Sequence, residues 1–340
     1  MAPSAAPGIT GGHPENAALS GGRPEGRPSK VSIVGAGAVG ATTAYAMLMR
    51  GAARTVALLD VNKPKVDAEV LDLQHGIQFM PQAAVEGSDD VAVCAGSDVV
   101  VVTAGAKQKP GQSRMDLAGD TIALVRKILP GLLDVAPNAV YLMVTNPVDV
   151  VTYAALRYSG LPANQLFGSG TVLDSSRLRF LVAERAGVAV QNVHAYIAGE
   201  HGDSEIPLWS SATIGGIPLR DWPGVGGLRP LTDTDLERMH HEVVHSAYEI
   251  IAGKGATNYA IGLAATRIVE AVLDDQHTVL PVSSLLQDYD GISDVCLSVP
   301  SVVDRTGVRE AIPTPMSDDE RAGLRASADA LRAAAQTFGL

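Results

Sequence analysis

A chain of 340 residues, 46% hydrophobic and 19% charged, is long enough for one large domain or two ordinary ones with real cores, which excludes a small stapled scaffold and a disordered chain. Its 26 basic and 37 acidic residues give a net charge of −11, a field that repels nucleic acid and anionic membrane. Two distant cysteines, Cys94 and Cys296, fit no CxxC pair or metal-ligand spacing, which points to a reducing, cytoplasmic setting; no apolar run reaches the roughly 18 to 20 residues of a membrane helix.

Residues 1–29 are rich in Ala, Pro, Gly and Ser and lack a basic segment followed by an apolar one, so they read as a flexible tail. From Lys30 onward β-rich runs alternate with helical periodicity: strand 31–34, helix 42–49, strand 55–59, helix 65–74, strand 98–103, helix 116–133 and strand 140–145. Such alternation implies right-handed crossovers and a parallel sheet covered on both faces. After about Pro147 the pattern changes to a helix at 173–186, strands near 194–198 and 209–214, helices around 236–251 and 258–273, a β-rich stretch over 278–303 and a last helix over 318–336. The expected architecture is α/β, a Rossmann-type doubly wound parallel sheet over 30–149 followed by an α+β domain over 150–340.

Gly35-Ala36-Gly37-Ala38-Val39-Gly40 matches GxGxxG between a strand and a helix. The first glycine allows a tight turn, the second lets backbone approach a pyrophosphate, and the third permits close helix packing. Alone the pattern is weak, but Asp60 follows about 20 residues on at the end of the next strand, where a carboxylate accepts both ribose hydroxyls and repels a 2′-phosphate. That favours NAD over NADP. A polar loop over 105–114 (GAKQKPGQSR) leaves the carboxyl end of a parallel strand, where ligands sit in such sheets. Thr145-Asn146-Pro147-Val148-Asp149 stands at the next strand end, where the Asn side chain can donate to a substrate oxygen.

Asp174 and Arg177 are three apart in a helical window and share a face, whereas Arg179 points away from it. His201 stands in Gly199-Glu200-His201-Gly202-Asp203-Ser204; a histidine near neutral pKa suits reversible proton transfer, with Asp174 as a candidate acid to orient its ring.

The segments GAGAVG, LLDVN, TAGAKQKPGQSR, TNPVD, GTVLDSSRLR, AYIAGEHGDS and KGATNYAIG, in this order and spacing, resemble the bacterial L-lactate dehydrogenase branch of the lactate/malate dehydrogenase family. The resemblance implies an NAD-dependent oxidoreductase whose α+β catalytic domain interconverts pyruvate and L-lactate. It makes His201 the proton donor and acceptor, Asp174 its partner, and Arg177 a bidentate clamp on the substrate carboxylate, a geometry lysine does not copy. Arg114, on a loop that closes over the substrate, would polarise the carbonyl with Asn146 assisting, and Thr257 would line the substrate's side-chain end. Around the cofactor it places Gly35, Gly37, Val39 and Gly40, with Asp60, Thr103, Asn146 and Ile261. Related malate dehydrogenases carry arginine at the place of Gln108; a neutral Gln leaves a second carboxylate unpaired, which favours pyruvate over oxaloacetate. Many similar bacterial enzymes are homotetramers activated by fructose 1,6-bisphosphate at a subunit interface, and the matching positions are Arg179 and His194.

Two rivals are weaker. His241-Glu242-Val243-Val244-His245 matches the zinc-peptidase motif HExxH, but the nearest downstream acid, Glu270, belongs to no ligand motif, and the polar run 232–238 suggests a solvated face. An NAD-dependent glycoside hydrolase of this nucleotide fold needs a metal held by Cys and His, and neither Cys94 nor Cys296 has a neighbouring His. No resident metal is expected.

Overall fold

Six short strands pair in parallel because the crossovers return the chain through helices, with a 3-10 turn at Val91–Cys94 between the third and fourth: β1 (Lys30–Val34), α1 (Ala38–Arg50), β2 (Thr55–Leu59), α2 (Lys63–Gly76), β3 (Ala84–Ser88), β4 (Val99–Val102), α3 (Arg114–Val135), β5 (Val140–Met143), α4 (Val148–Ser159) and β6 (Leu166–Gly168). The computed structural model describes residues 27–106 and 114–340, and the side chains of residues 114–116 also lie outside the described set. Alternate side chains of the central strands enter opposite cores. Val99, Val101, Val140 and Leu142 face the core shared with α1, α2 and a later helix over Tyr259–Leu273, whereas Val100, Val102, Tyr141 and Met143 face the one shared with α3, α4 and the last helix, Asp318–Thr337. Both faces are therefore dry, which accounts for the unbroken apolar run 99–102.

The second half contains α5 (Val172–Ala186), β7 (Val193–His194), β8 (Ile197–Ala198), β9 (Ile206–Pro207), β10 (Thr213–Ile214), β11 (Ile217–Pro218), α6 (Asp233–Lys254), α7 (Tyr259–Leu273), β12 (Thr278–Leu285), β13 (Cys296–Asp304), β14 (Gly307–Ala311) and α8 (Asp318–Thr337). Its long strands build no separate sheet. β12 pairs antiparallel with β6 through Ser283 and Gly168, so one nine-stranded sheet runs β14-β13-β12-β6-β5-β4-β1-β2-β3. A third core gathers Leu178, Val182, Ile197, Trp222 and Met239 between α5, the short strands and α6.

Two sequence expectations change, and three elements lay outside them. The strand expected over 194–198 is broken at Ala195 and Tyr196, because β7 pairs with β10 while β8 pairs with β9. The strand expected over 209–214 opens as a 3-10 turn, Trp209–Ser211, and only Thr213–Ile214 is extended. The elements β3, α4 and β6 had no clear signal: β3 is an edge strand with a single buried residue, α4 starts directly after Pro147, and β6 is three residues long. Among the described residues no helix is long and apolar enough to cross a membrane.

Candidate active site

The turn from β1 into α1 is built by its glycines. Gly35 has φ +102, and a Cβ on Gly40 would stand 1.8 Å from the Gly35 carbonyl oxygen, so α1 packs against the turn only without a side chain there. At Gly37, which caps α1, nothing lies within 4 Å of where a Cβ would be, leaving room for an anion at the helix N-terminus. Asp60 crosses from β2 to the same turn, accepting from Ala36 N at 2.8 Å and Asn62 N at 2.9 Å. These residues fit the expected dinucleotide. Thr103 acts from beneath, its hydroxyl contacting the Val34 and Gly35 carbonyls at 3.1 and 3.0 Å, and Val39 is half-buried in the first turn of α1. Gly40→Ala is expected to weaken NADH binding about 5- to 150-fold, the cost of about 1–3 kcal/mol for overpacking, read by fluorescence titration; unchanged affinity would refute this account of the turn.

Helix α1 packs against α7 beside this turn. Asn258 Nδ2 donates to Thr42 Oγ1 at 2.8 Å, a Cβ on Gly262 would touch Thr42, and Arg50 grips Glu270 through Nε and Nη2 at 2.6 and 2.8 Å. These contacts hold Thr257 and Ile261, both half-buried, near the nucleotide end. Asn146 is exposed at the end of β5, joined to Pro147 by a cis peptide bond.

Asp174 is the centre of the second cluster. Only 2% exposed, it accepts from Arg177 Nη1 at 2.7 Å on Oδ1, and its Oδ2 lies 2.6 Å from His201 Nδ1. The helix is registered on the following strand by polar groups: Thr171 Oγ1 donates to Ile197 O at 2.6 Å, and Ile197 N donates to Ser175 Oγ at 2.8 Å. That docking turns residues 27 apart in sequence into a hydrogen-bonded pair. Burial alone would raise the Asp174 carboxyl, but the charge and hydrogen bond of His201 and the charge of Arg177 hold it below the usual carboxylate range. For His201 burial acts to lower the pKa, and the Asp174 carboxylate overcomes it, pushing the imidazole up to about 9.

The histidine loop is fastened from three sides. Gly199 exchanges backbone hydrogen bonds with Ser298 of β13 at 2.8 and 3.1 Å, His201 N donates to Asp149 Oδ2 of α4 at 2.8 Å, and Glu200 N donates to Ser327 Oγ of α8 at 2.7 Å. Asp149 is buried, which raises its carboxyl to about 6. Asp149 and Ser327, which fasten the loop, were not assigned from the sequence, and the buried Glu205 stands beside the cluster; Asp149 lay in a quoted motif, but nothing in its spacing ties it to His201.

The remaining candidates fall elsewhere. Arg179 Nε donates to Ala195 O at 2.8 Å and its guanidinium sits 4.8 Å from the Tyr196 ring centroid, beside the exposed His194. Gln108 and the side chain of Arg114 lie outside the described residues; the backbone of Arg114 opens α3. In HExxH, the exposed His241 and His245 rings stack at 3.9 Å and Glu242 pairs with Arg238 at 2.6 Å. Among the described residues no group of three metal-binding side chains includes them.

Family profiles match nearly all of this: the lactate/malate dehydrogenase NAD binding domain over residues 29–168 and the lactate/malate dehydrogenase alpha/beta C-terminal domain over 171–338. The chain is 59% identical over 313 residues to an L-lactate dehydrogenase of Bifidobacterium animalis subsp. lactis, covering 92% of this chain and 98% of that one. It is 43% identical over 312 residues to an L-lactate dehydrogenase of Thermoanaerobacter sp., covering 92% and 100%. Among solved structures, a lactate dehydrogenase from a deep-sea metagenome library superposes with a TM-score of 0.88 at 36% identity, covering 92% of this chain and 100% of that one. The minor L-lactate dehydrogenase of Enterococcus mundtii gives 0.87 at 39% identity, covering 91% and 98%.

Proposed function

The chain belongs to the lactate/malate dehydrogenase family and is an NAD-dependent L-lactate dehydrogenase, and from this premise we propose how its residues divide the reaction. The observation that carries the assignment is the double engagement of Asp174 by His201 and Arg177. Asp174 holds His201 Nδ1, so Nε2 is the atom that gives a proton to the pyruvate oxygen and takes it back from lactate. Arg177 receives the substrate carboxylate through the same helix face that carries Asp174, and Asn146 and Arg114 meet the carbonyl oxygen as it gains negative charge. When bound, NADH supplies the hydride. Thr257 bounds the methyl end and Gln108 selects against a second carboxylate.

The effector reading is that Arg179 and His194 bind fructose 1,6-bisphosphate between subunits of a homotetramer. In its support, Arg179 is held by the Ala195 carbonyl and the Tyr196 ring next to an exposed histidine. Large apolar side chains also stand exposed on α1, α5 and α7: Tyr45 and Met49, Phe180, Tyr259 and Leu263. Two facing positive clusters repel until a bisphosphate neutralises them, so the effector favours assembly with a coupling of about 1–3 kcal/mol. The test follows NADH oxidation with pyruvate and with oxaloacetate, each with and without fructose 1,6-bisphosphate. Preference for pyruvate, with its half-saturation lowered by the bisphosphate about 5- to 150-fold and the shift abolished in Arg179→Ala, is expected. Preference for oxaloacetate would overturn the role of Gln108, and an unmoved pyruvate curve together with an unmoved oligomeric state would overturn the effector site.

A further inference from the structure

Glu205 is a buried carboxyl that proton exchange between His201 and the substrate does not use. It is 5% exposed, its Oε1 is buried with no hydrogen-bond partner, and one of its oxygens, a ring nitrogen of His201 and a carboxylate oxygen of Asp174 all lie within 4.8 Å of one another. The fold fastens its backbone instead: Glu205 N donates to Gly202 O at 3.3 Å, and its carbonyl lies 3.1 Å from His240 Nε2. Two carboxyl groups thus crowd one imidazole and one guanidinium. Asp174 engages both cations, one on each oxygen.

Two carboxylates this close in a dry site do not both ionise, and the proton goes to the one with fewer partners. The groups facing Glu205 are Asp174 and Arg177 from α5 and His201 and Asp203 from its own loop. His240 of α6, its pKa lowered by burial, meets the Glu205 carbonyl, and Asp149 of α4 faces His201. Burial first, then the charge of Asp174, pushes the Glu205 carboxyl up to about 9, against the opposing pull of His201 and Arg177.

We propose that Glu205 is a proton-holding positioning residue: a neutral carboxylic acid during turnover that leaves Asp174 the ring's anionic partner and keeps the pocket one charge more positive for a monocarboxylate 2-oxo acid. Its ionisation in alkali would set a second anion beside the same ring and close the pocket to that substrate. The inference rests on the assignment of His201 and Asp174 as the proton-transfer pair.

Glu205→Gln keeps the shape of the protonated acid and cannot ionise. Binding of oxamate, an unreactive isostere of pyruvate, to the enzyme–NADH complex is measured against pH. At neutral pH the variant is expected within about threefold of wild type. Above about pH 9 the wild-type affinity should fall by up to about 100-fold per pH unit, two protons being lost, and the variant's by about tenfold. A second readout needs no substrate: wild type at neutral pH should show the infrared carbonyl stretch of a protonated carboxylic acid, lost in alkali and absent from Glu205→Gln. Absence of that band would overturn the proposal. So would a loss of more than about tenfold in pyruvate kcat/KM at neutral pH with a lowered pKa of His201, the mark of an ionised Glu205 supporting the imidazolium. Wild-type enzyme that shows the band yet binds no oxamate at any pH would instead overturn the pocket assignment beneath it.

Discussion

His201→Asn is expected to lower kcat/KM for pyruvate reduction by about 10²- to 10⁴-fold while NADH binding changes little, because the ring is the proton donor and the dinucleotide turn is built elsewhere. The loop should keep its place in this variant. Its anchors to Asp149, Ser327 and Ser298 are made by backbone groups of residues 199–201 and not by the imidazole. Steady-state kinetics paired with NADH fluorescence titration separates the two effects. Retention of more than about a tenth of the wild-type kcat/KM would show that another group delivers the proton.

Asp174→Asn acts on the same ring through its charge. Without the carboxylate, burial is left as the main influence on His201, and its pKa should drop from about 9 to below the ordinary 6.5. Pyruvate reduction uses the protonated ring, so its upper pH limit should move from about 9 down by more than two units, with a loss of at least about tenfold at pH 7.5. Lactate oxidation uses the neutral ring and should lose less at that pH. The sign extends to stability: a raised histidine pKa stabilises the fold fully below about 6.5, and that contribution is lost as pH rises through about 9. Wild type should therefore be acid-favoured relative to Asp174→Asn in thermal unfolding across that window. Profiles of kcat/KM in both directions check the kinetic half, and an unmoved upper limit would remove Asp174 from its role.

Much of this site was legible because its chemistry lies in short motifs. The glycine turn needs three glycines within six positions, and Asp174 and Arg177 share a face through helical spacing alone. Relations across the chain were not legible. His201 and Asp174 meet through the docking of α5 on β8 by Thr171 and Ser175, two polar residues that look like ordinary helix-start punctuation. Glu205 follows the histidine by four positions, and no spacing rule says whether such a residue turns to solvent or to the core. The fold divides the same way. Apolar runs marked β1, β2, β4 and β5, whereas β6, three residues long, is a strand only because it lies between β5 and β12.

The contact between Glu200 and Ser327 spans 127 residues of sequence. A chain emerging in order from the ribosome has made its nucleotide turn, its catalytic carboxylate and its histidine long before it makes α8. Until Ser327 arrives, the residue preceding His201 lacks its hydroxyl acceptor, and β13, which holds Gly199, is itself made late. Catalytic competence is thus among the last properties the growing polypeptide acquires, so a nascent or prematurely terminated chain holds nucleotide-binding parts without a working proton donor.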